Sequence, residues 1–344
     1  MIWFTIATVT PVLLLALAAM AGGLWCLLAV VYMTCFVYIL DRLVAGAASR
    51  KRADGEFPAG EELALFLGGV HFVLLGLAVA AIGGATGFSL AEQLACLIAF
   101  GLFFGQVSNA NAHELIHKQA RWPRRLGKAV YISLLFGHHA SAHTRVHHVW
   151  AASAMDPNSP AARQSFYRFW PRAWAGSFVK GLRAENALRA RRGKTLSFWS
   201  HPYLHYVGGG IVTVSLAALM FGAGGVVALL LVTSYAQVQL LLSDYVQHYG
   251  LSRKRGADGR LEPVGPEHSW NARHFYSSAL MLNAPRHSDH HMHPLRTYPA
   301  LDLDPATMPV LPYSLPVMAV LALWPRMWRR VMDPRVAALR AGAE

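Results

Sequence analysis

The chain has 344 residues, of which 54% are hydrophobic and only 14% charged, with a mean hydropathy of +0.32. Soluble domains carry about 25% charged residues, so the polar residues here are too few to coat the two globular domains that ~150 residues each would allow. The composition excludes an ordinary soluble protein and points to a polytopic membrane protein.

The apolar runs follow in order. A crossing of the bilayer needs ~20 apolar helical residues. Ile2 to Leu40 reads as two spans, 2–21 and 24–41, turning at Gly22 and Gly23. Met1 to Pro11 lacks a basic stretch, so a cleaved secretory leader is not expected and the first helix stays. A third span covers 63–83 and a fourth 89–111. The run from Val207 to Leu242 divides at Gly222, Gly224 and Gly225 into spans 207–222 and 225–246.

All 31 Lys and Arg lie after Asp41, four between Arg42 and Arg52, fifteen between Lys118 and Lys194 and twelve from Arg253 to Arg340. The connections near Gly22, Ala85 and Gly224 carry none. Basic loops stay on the cytoplasmic side, which places 42–62, 112–206, 247–344 and both termini there. The expectation is a single all-α integral-membrane domain over 1–344 with about six transmembrane helices. Cys26, Cys35 and Cys96 sit inside predicted spans without Cys-x-x-Cys spacing and read as small buried hydrophobes.

Histidine carries the functional signal. Of seventeen histidines, fourteen fall in four clusters. The first is His113-Glu114-Leu115-Ile116-His117, where an i, i+4 pair shares a helical face with Cβ atoms ~6 Å apart and lets two imidazoles converge on a metal. The second is His138, His139, His143, His147 and His148, with HTRVHH repeating that spacing. The third is Arg286-His287-Ser288-Asp289-His290-His291-Met292-His293. The fourth, thinner, is Asp244 to Gly250 with His248, followed by His268 and His274. A catalytic zinc takes three protein ligands, so three such boxes at one membrane face imply two metals. His71, alone in the third span, reads as a packed or hydrogen-bonded helix residue, and His201 and His205 as interfacial.

Imidazole suits Zn, Cu, Fe and Ni alike. Metals at the ends of membrane helices meet substrates dissolved in lipid, and an alkyl chain offers no carbonyl or phosphoryl for a Lewis acid to polarise. Attack on such a chain requires a redox metal and oxygen, which favours iron.

At these residues the sequence resembles the membrane-bound non-haem diiron alkane hydroxylases, the alkane 1-monooxygenase family within the integral-membrane fatty-acid desaturases and hydroxylases. The likeness covers most of the chain from about Asp41 on. It rests on HELIHK, on HTRVHHVWAASAMDP ending in Asp156 and Pro157, on SFYRFWPR, DYVQHYGL and HSWNARH, on the third box RHSDHHMHP and on RRVMDPRV. The histidine before Tyr-Gly separates this branch from plain desaturases. The resemblance implies that His113, His117, His143, His147, His148, His248, His287, His290 and His291 ligate two irons. Spacing alone reaches eight of these, and His248 enters through the family. His138, His139, His268, His274 and His293 are candidates for hydrogen bonding around the centre or for the surface. Asp156 and Asp289 are candidate acceptors for imidazole N–H groups, whereas helix geometry turns Glu114 away. The chain departs from the family at Ala142 and Gln247, where Glu is usual, and at Asp244, where Asn is.

The implied reaction is O2-dependent hydroxylation of a terminal C–H of a medium-chain alkane or alkyl group, giving a primary alcohol, with two electrons and two protons reducing the second oxygen atom to water. The chain would enter from the bilayer, and Met33, Phe36 or Tyr38 on the second span would limit its depth. Electrons would come from rubredoxin or a ferredoxin with an NAD(P)H-dependent reductase. The net charge of +13 suits an acidic carrier as well as anionic lipid, and no nucleic-acid motif is present. The expected location is a bacterial inner membrane. Two other readings compete: a related diiron enzyme for xylene-type alkyl-aromatics or fatty acyl chains, and a membrane zinc or iron transport protein. The last predicts ionisable residues in mid-membrane, and apart from His71 and Glu92 those positions are nearly free of them.

Overall fold

A computed structural model describes residues 1–43, 58–191 and 196–341. Most of the expected loop 42–62 therefore lies outside the described residues, as do Arg192 and Lys194. Among the described residues the chain is helical, with two isolated bridges, Arg255 with Leu261 and Asn271 with Val310, and no strand.

Helix α1 (Ile2–Ala21) and α2 (Leu24–Leu43) form a hairpin. Gly22 and Gly23 turn it with φ of 61° and 53°, a region that side-chain-bearing residues rarely enter. The long α4 (Leu90–Ile116) starts at a capping box in which the Ser89 hydroxyl accepts from the Glu92 amide and Glu92 reaches back to Ser89. Glu92 Oε1 also accepts from the Gly23 amide at 2.7 Å, which fastens the α1–α2 turn to the start of α4. Between them, α3 (Pro58–Ile82) carries His71. Its ring nitrogens lie 3.0 Å from Ser108 Oγ and 2.9 Å from Ser133 Oγ, so both are satisfied inside the bundle, as expected for a packed helix residue.

Helix α5 (Arg121–Ser133) lies across the end of α4, made possible by Gly127, where a Cβ would stand 2.9 Å from the Ala112 carbonyl oxygen. A second helical segment, α6 (139–150), carries the second histidine box, and α7 (Phe166–Arg191) packs over it. Helix α8 (Pro202–His248) is 47 residues long and breaks helical geometry at Gly222 (φ 63°, ψ −156°). Beyond it come α9 (Phe275–Leu280), α10 (His287–Met292), α11 (Leu315–Ala322) and α12 (Pro325–Ala341).

Five helices among the described residues are long and apolar enough to cross a membrane. The expectation of about six differs at α8, because the chain turns at one glycine and resumes the helix without a loop. Its halves, 202–221 and 223–248, are each about the length one crossing needs. The Gly222 break sits beside the end of α3, where a Cβ on Gly83 would lie 3.1 Å from Gly224 and Gly225 backbone atoms. Outward-facing side chains on these helices are apolar: Leu219 is 83% exposed, Ile2 68% and Leu24 65%. Exposing so much apolar surface in water would be untenable, and the protein is an integral membrane protein.

Candidate metal centre

The nine histidines picked out in the sequence converge in two groups. His113, His117, His143, His148 and His290 form one, and His147, His248, His287 and His291 the other, with ligand atoms within 4.8 Å of one another in each group. Four elements bring them together: the end of α4, the helix α6, the end of α8 and the short α10.

The way each box divides follows from local backbone geometry. Residues 143–147 form a π-helical turn, a feature frequent at functional sites, in which i and i+5 rather than i and i+4 stand above each other. His143 and His148 Nε2 atoms consequently lie 2.9 Å apart, while His147 turns to the second group. In α10 the α-helical i, i+4 pair His287 and His291 stays together at 3.1 Å, and His290 crosses to the first group, 3.1 Å from His148. His113 and His143 are 2.7 Å apart, and His248 and His287 3.0 Å. Two nitrogens ~2.1 Å from one metal would stand about this far apart, so the pairs have the spacing of shared ligation. Buried Nε2 atoms of His117 and His147 have no hydrogen-bond partner at all. That is the expected state of an imidazole whose lone pair is kept for a metal.

Electrostatics agree with this. Burial, reinforced by neighbouring imidazoles, holds His143, His148, His287, His290 and His291 well below the ordinary histidine range, and burial pushes His117 down to about 4. Neutral rings are the form that binds metal. His147 differs: burial works against its charge, but the Asp156 carboxylate 2.8 Å from Nδ1 raises it. A carboxylate in that position fixes the tautomer and leaves Nε2 for a metal.

Asp156 is part of a buried polar layer whose other members were not evident in the sequence. Asn158 donates its amide N–H to Asp156 Oδ1 at 3.1 Å and its side-chain nitrogen to Asp244 Oδ2 at 2.6 Å, while accepting from Ser177 at 2.6 Å. Ser159 donates to Asp156 at 2.7 Å. Only their place just after the second box hinted at them. Asp289 accepts from an imidazole, but from that of His293 and not from one of the nine. It accepts from His293 Nδ1, from Arg296 and from the Asp302 amide, at 2.6 to 2.9 Å, and touches none of the nine histidines. Glu114 turns away from its flanking histidines, as expected, and pairs with Lys118 at 2.7 Å.

A third cluster, His268 with Glu262 and Glu267, is a loop brace. Its ring accepts from the Gly265 amide through Nδ1 and faces Glu262 through Nε2, so neither nitrogen is left over.

An apolar channel of about 950 Å³ ends at the centre, reaching His113, His143 and His287. Its wall comes from α2, α4, α8 and α11, with Val37, Leu102, Val238, Leu242 and Ala319 among the lining residues, and the exposed Trp324 and Met327 also line it. Met33 and Tyr38 line it. Phe36 does not: its ring packs at a tilt against Tyr32 with centroids 5.5 Å apart and is 42% exposed, at the end of the π-helical turn 32–36. Polar side chains interrupt the wall, among them Asp41, Gln106, Asn109, Gln239 and Asp244. Gln106 donates to Gln239 Oε1 at 3.5 Å, and Gln106 Oε1 has no partner. His139 also lines the channel, stacked on Phe136 at 5.3 Å.

The model of the fatty acid desaturase family matches residues 89–321, a stretch that contains all nine histidines. The chain belongs to the fatty acid desaturase family. It is 33% identical to an alkane 1-monooxygenase of Pseudomonas putida over 74% of this chain and 62% of the relative. It is 33% identical to alkane 1-monooxygenase 1 of Pseudomonas aeruginosa over 81% of this chain and 76% of the relative. The hydroxylase component of a xylene/toluene monooxygenase of Pseudomonas putida is 25% identical over 68% of this chain and 61% of the relative. The matched stretch thus spans about three-fifths of the first relative's length. These findings agree with the resemblance read from the boxes.

Proposed function

We propose that this desaturase-family protein is a monooxygenase that hydroxylates the terminal carbon of medium-chain alkanes or alkyl groups to primary alcohols, using O2 at two irons held by the nine histidines. The observation that carries this reading is the meeting of an apolar channel with both histidine groups, at His113, His143 and His287. Iron, when bound, supplies the oxygen-dependent redox chemistry that an unactivated C–H bond requires. His113, His117, His143, His148 and His290 would hold one ion, and His147, His248, His287 and His291 the other.

The chain's own residues bind and orient. The channel wall takes the alkyl chain by burying its surface and presents its end, not its middle, to the centre. Met33 and Tyr38 on α2 set how far the chain extends. Asp156 keeps the His147 proton on Nδ1. Electrons would come from rubredoxin or a ferredoxin reduced by an NAD(P)H-dependent reductase, and the +13 net charge supports steering of such an acidic carrier. In this reading the centre and both termini face the cytoplasm at a bacterial inner membrane.

The 25% identity to the hydroxylase component of a xylene/toluene monooxygenase supports a second reading, in which the substrate is a xylene-type alkyl-aromatic or a fatty acyl chain. Membranes containing the protein, given NADH, rubredoxin and its reductase under 18O2, are offered octane, p-xylene or octanoic acid separately. The first reading expects labelled 1-octanol as the leading product. A labelled benzylic alcohol or hydroxy acid in its place selects the second, and products without label contradict both.

A further inference from the structure

Outside the channel, on the other side of the 136–139 segment, lies a second cavity of about 390 Å³, walled by α7 and the first half of α8. Trp174 and Phe178 form one side, Val207, Gly210 and Ile211 the other, and His138 lies between them. Val207 and Ile211 are exposed on the outward face of α8, so the groove opens where lipid would be.

His138 does not belong to the metal centre. It is 4% exposed and caged by Phe136, Trp174 and Phe178, with ring centroids 4.5, 5.8 and 5.2 Å away. Its Nε2 atom is buried and has no hydrogen-bond partner. Such an atom is costly unless something satisfies it. The Tyr206 hydroxyl is engaged with Ser141 Oγ at 2.8 Å and the Trp174 indole N–H with Gln237 at 2.9 Å, and Ser215 is the further polar side chain on the wall. Among the described residues, no Lys, Arg, Asp or Glu lines the groove.

The geometry points to a binding site for a long-chain primary alcohol, its hydroxyl on His138 Nε2 and its chain along Trp174, Phe178 and Ile211. A neutral imidazole offers either an N–H or a lone pair, and a hydroxyl complements both. Burial pushes His138 down to about 4, which keeps it neutral. A carboxylate or phosphate head would lack the cation that an uncharged groove does not supply. The volume is within the range of small-ligand sites. Primary alcohols are also what the reaction proposed above would form, but the site stands on its own geometry and its test involves no turnover.

The test uses the purified full chain in nanodiscs with three photoreactive probes that share one diazirine-bearing dodecyl chain and end in a hydroxyl, a methyl or a carboxylate. After photolysis, labelled peptides are mapped by mass spectrometry. The alcohol probe is expected to label peptides containing Trp174 to Phe178 and Val207 to Val214, with excess 1-dodecanol competing. His138→Phe is expected to lower that labelling by about three- to ten-fold, the loss of one hydrogen bond. Gly210→Leu fills the groove without touching His138, since a Cβ there meets only Leu135 Cδ2 at 3.7 Å. It is expected to abolish the labelling with the melting temperature unchanged, and it decides the matter if His138→Phe fails to fold. Equal labelling by the methyl probe would make the groove a crevice for lipid tails and overturn the proposal. So would stronger labelling by the carboxylate, or alcohol labelling confined to the channel.

Discussion

His147 Nδ1 and Asp156 Oδ2 stand 2.8 Å apart with both side chains buried, so the histidine that the π-helical turn sends to the second group is held from behind by a carboxylate. Loss of such a partner typically costs 10–100-fold in metal affinity. Asp156→Asn is therefore expected to keep the fold and lose iron to a chelator about 10–100-fold more readily than the parent. Chelator titration followed by iron analysis measures this, and unchanged retention would mean that Asp156 serves only the loop.

Channel depth separates two neighbours on α2. Met33 is 3% exposed and lines the channel, whereas Phe36 points outward. Met33→Ala is expected to shift the accepted alkane range toward longer chains, and Phe36→Ala to leave it unchanged. Product yields across a series from hexane to hexadecane test the pair, and the account fails here if Phe36 is the residue that moves the range.

Gly222 has a backbone conformation that is open essentially to glycine alone, with free space around the position of a Cβ. The cost of Gly222→Ala is therefore conformational, of order 1–3 kcal/mol. A lowered melting temperature in detergent is expected. At Gly69, inside α3, a Cβ likewise meets nothing and φ is not positive, so Gly69→Ala should leave stability unchanged or slightly raised.

Acid should unfold the metal-free protein through its histidines. In the unfolded chain these rings titrate near 6.5. In the fold, burial holds His143, His148, His287, His290 and His291 well below that, and His117 at about 4. Below pH 6.5 the unfolded chain therefore binds more protons than the native one, and native stability falls as pH drops. Melting of the metal-free protein is expected to be level from pH 8 to 7 and to decline steeply between pH 6.5 and 4. A level profile throughout would show that the rings are not buried neutral.

Much of this was legible in the sequence. Strings such as HELIH and HTRVHH named eight of the nine histidines that the fold brings together, the resemblance added His248, and the glycines at 22, 23 and 222 marked its turns. What escaped was local geometry. An i, i+4 pattern presumes an α-helix, so the π-helical turn at 143–147 redistributed His147 and His148, and Phe36, at the end of the one at 32–36, does not line the channel. Asp289 was drawn away by Arg296 and His293, partners whose approach depends on the loop after α10. Asn158 lies two residues past Asp156 with no motif of its own, and only the packing of α7 against α8 shows that it joins Asp156 to Asp244.

Metal analysis of the purified protein tests whether two irons divide between the two groups of histidines. The parent chain is expected to hold two irons and no zinc. His117→Ala, which strikes the first group, and His291→Ala, which strikes the second, are each expected to retain about one, since each group of ligands would serve its own ion. Stoichiometric zinc, or a single iron in the parent chain, would contradict that division.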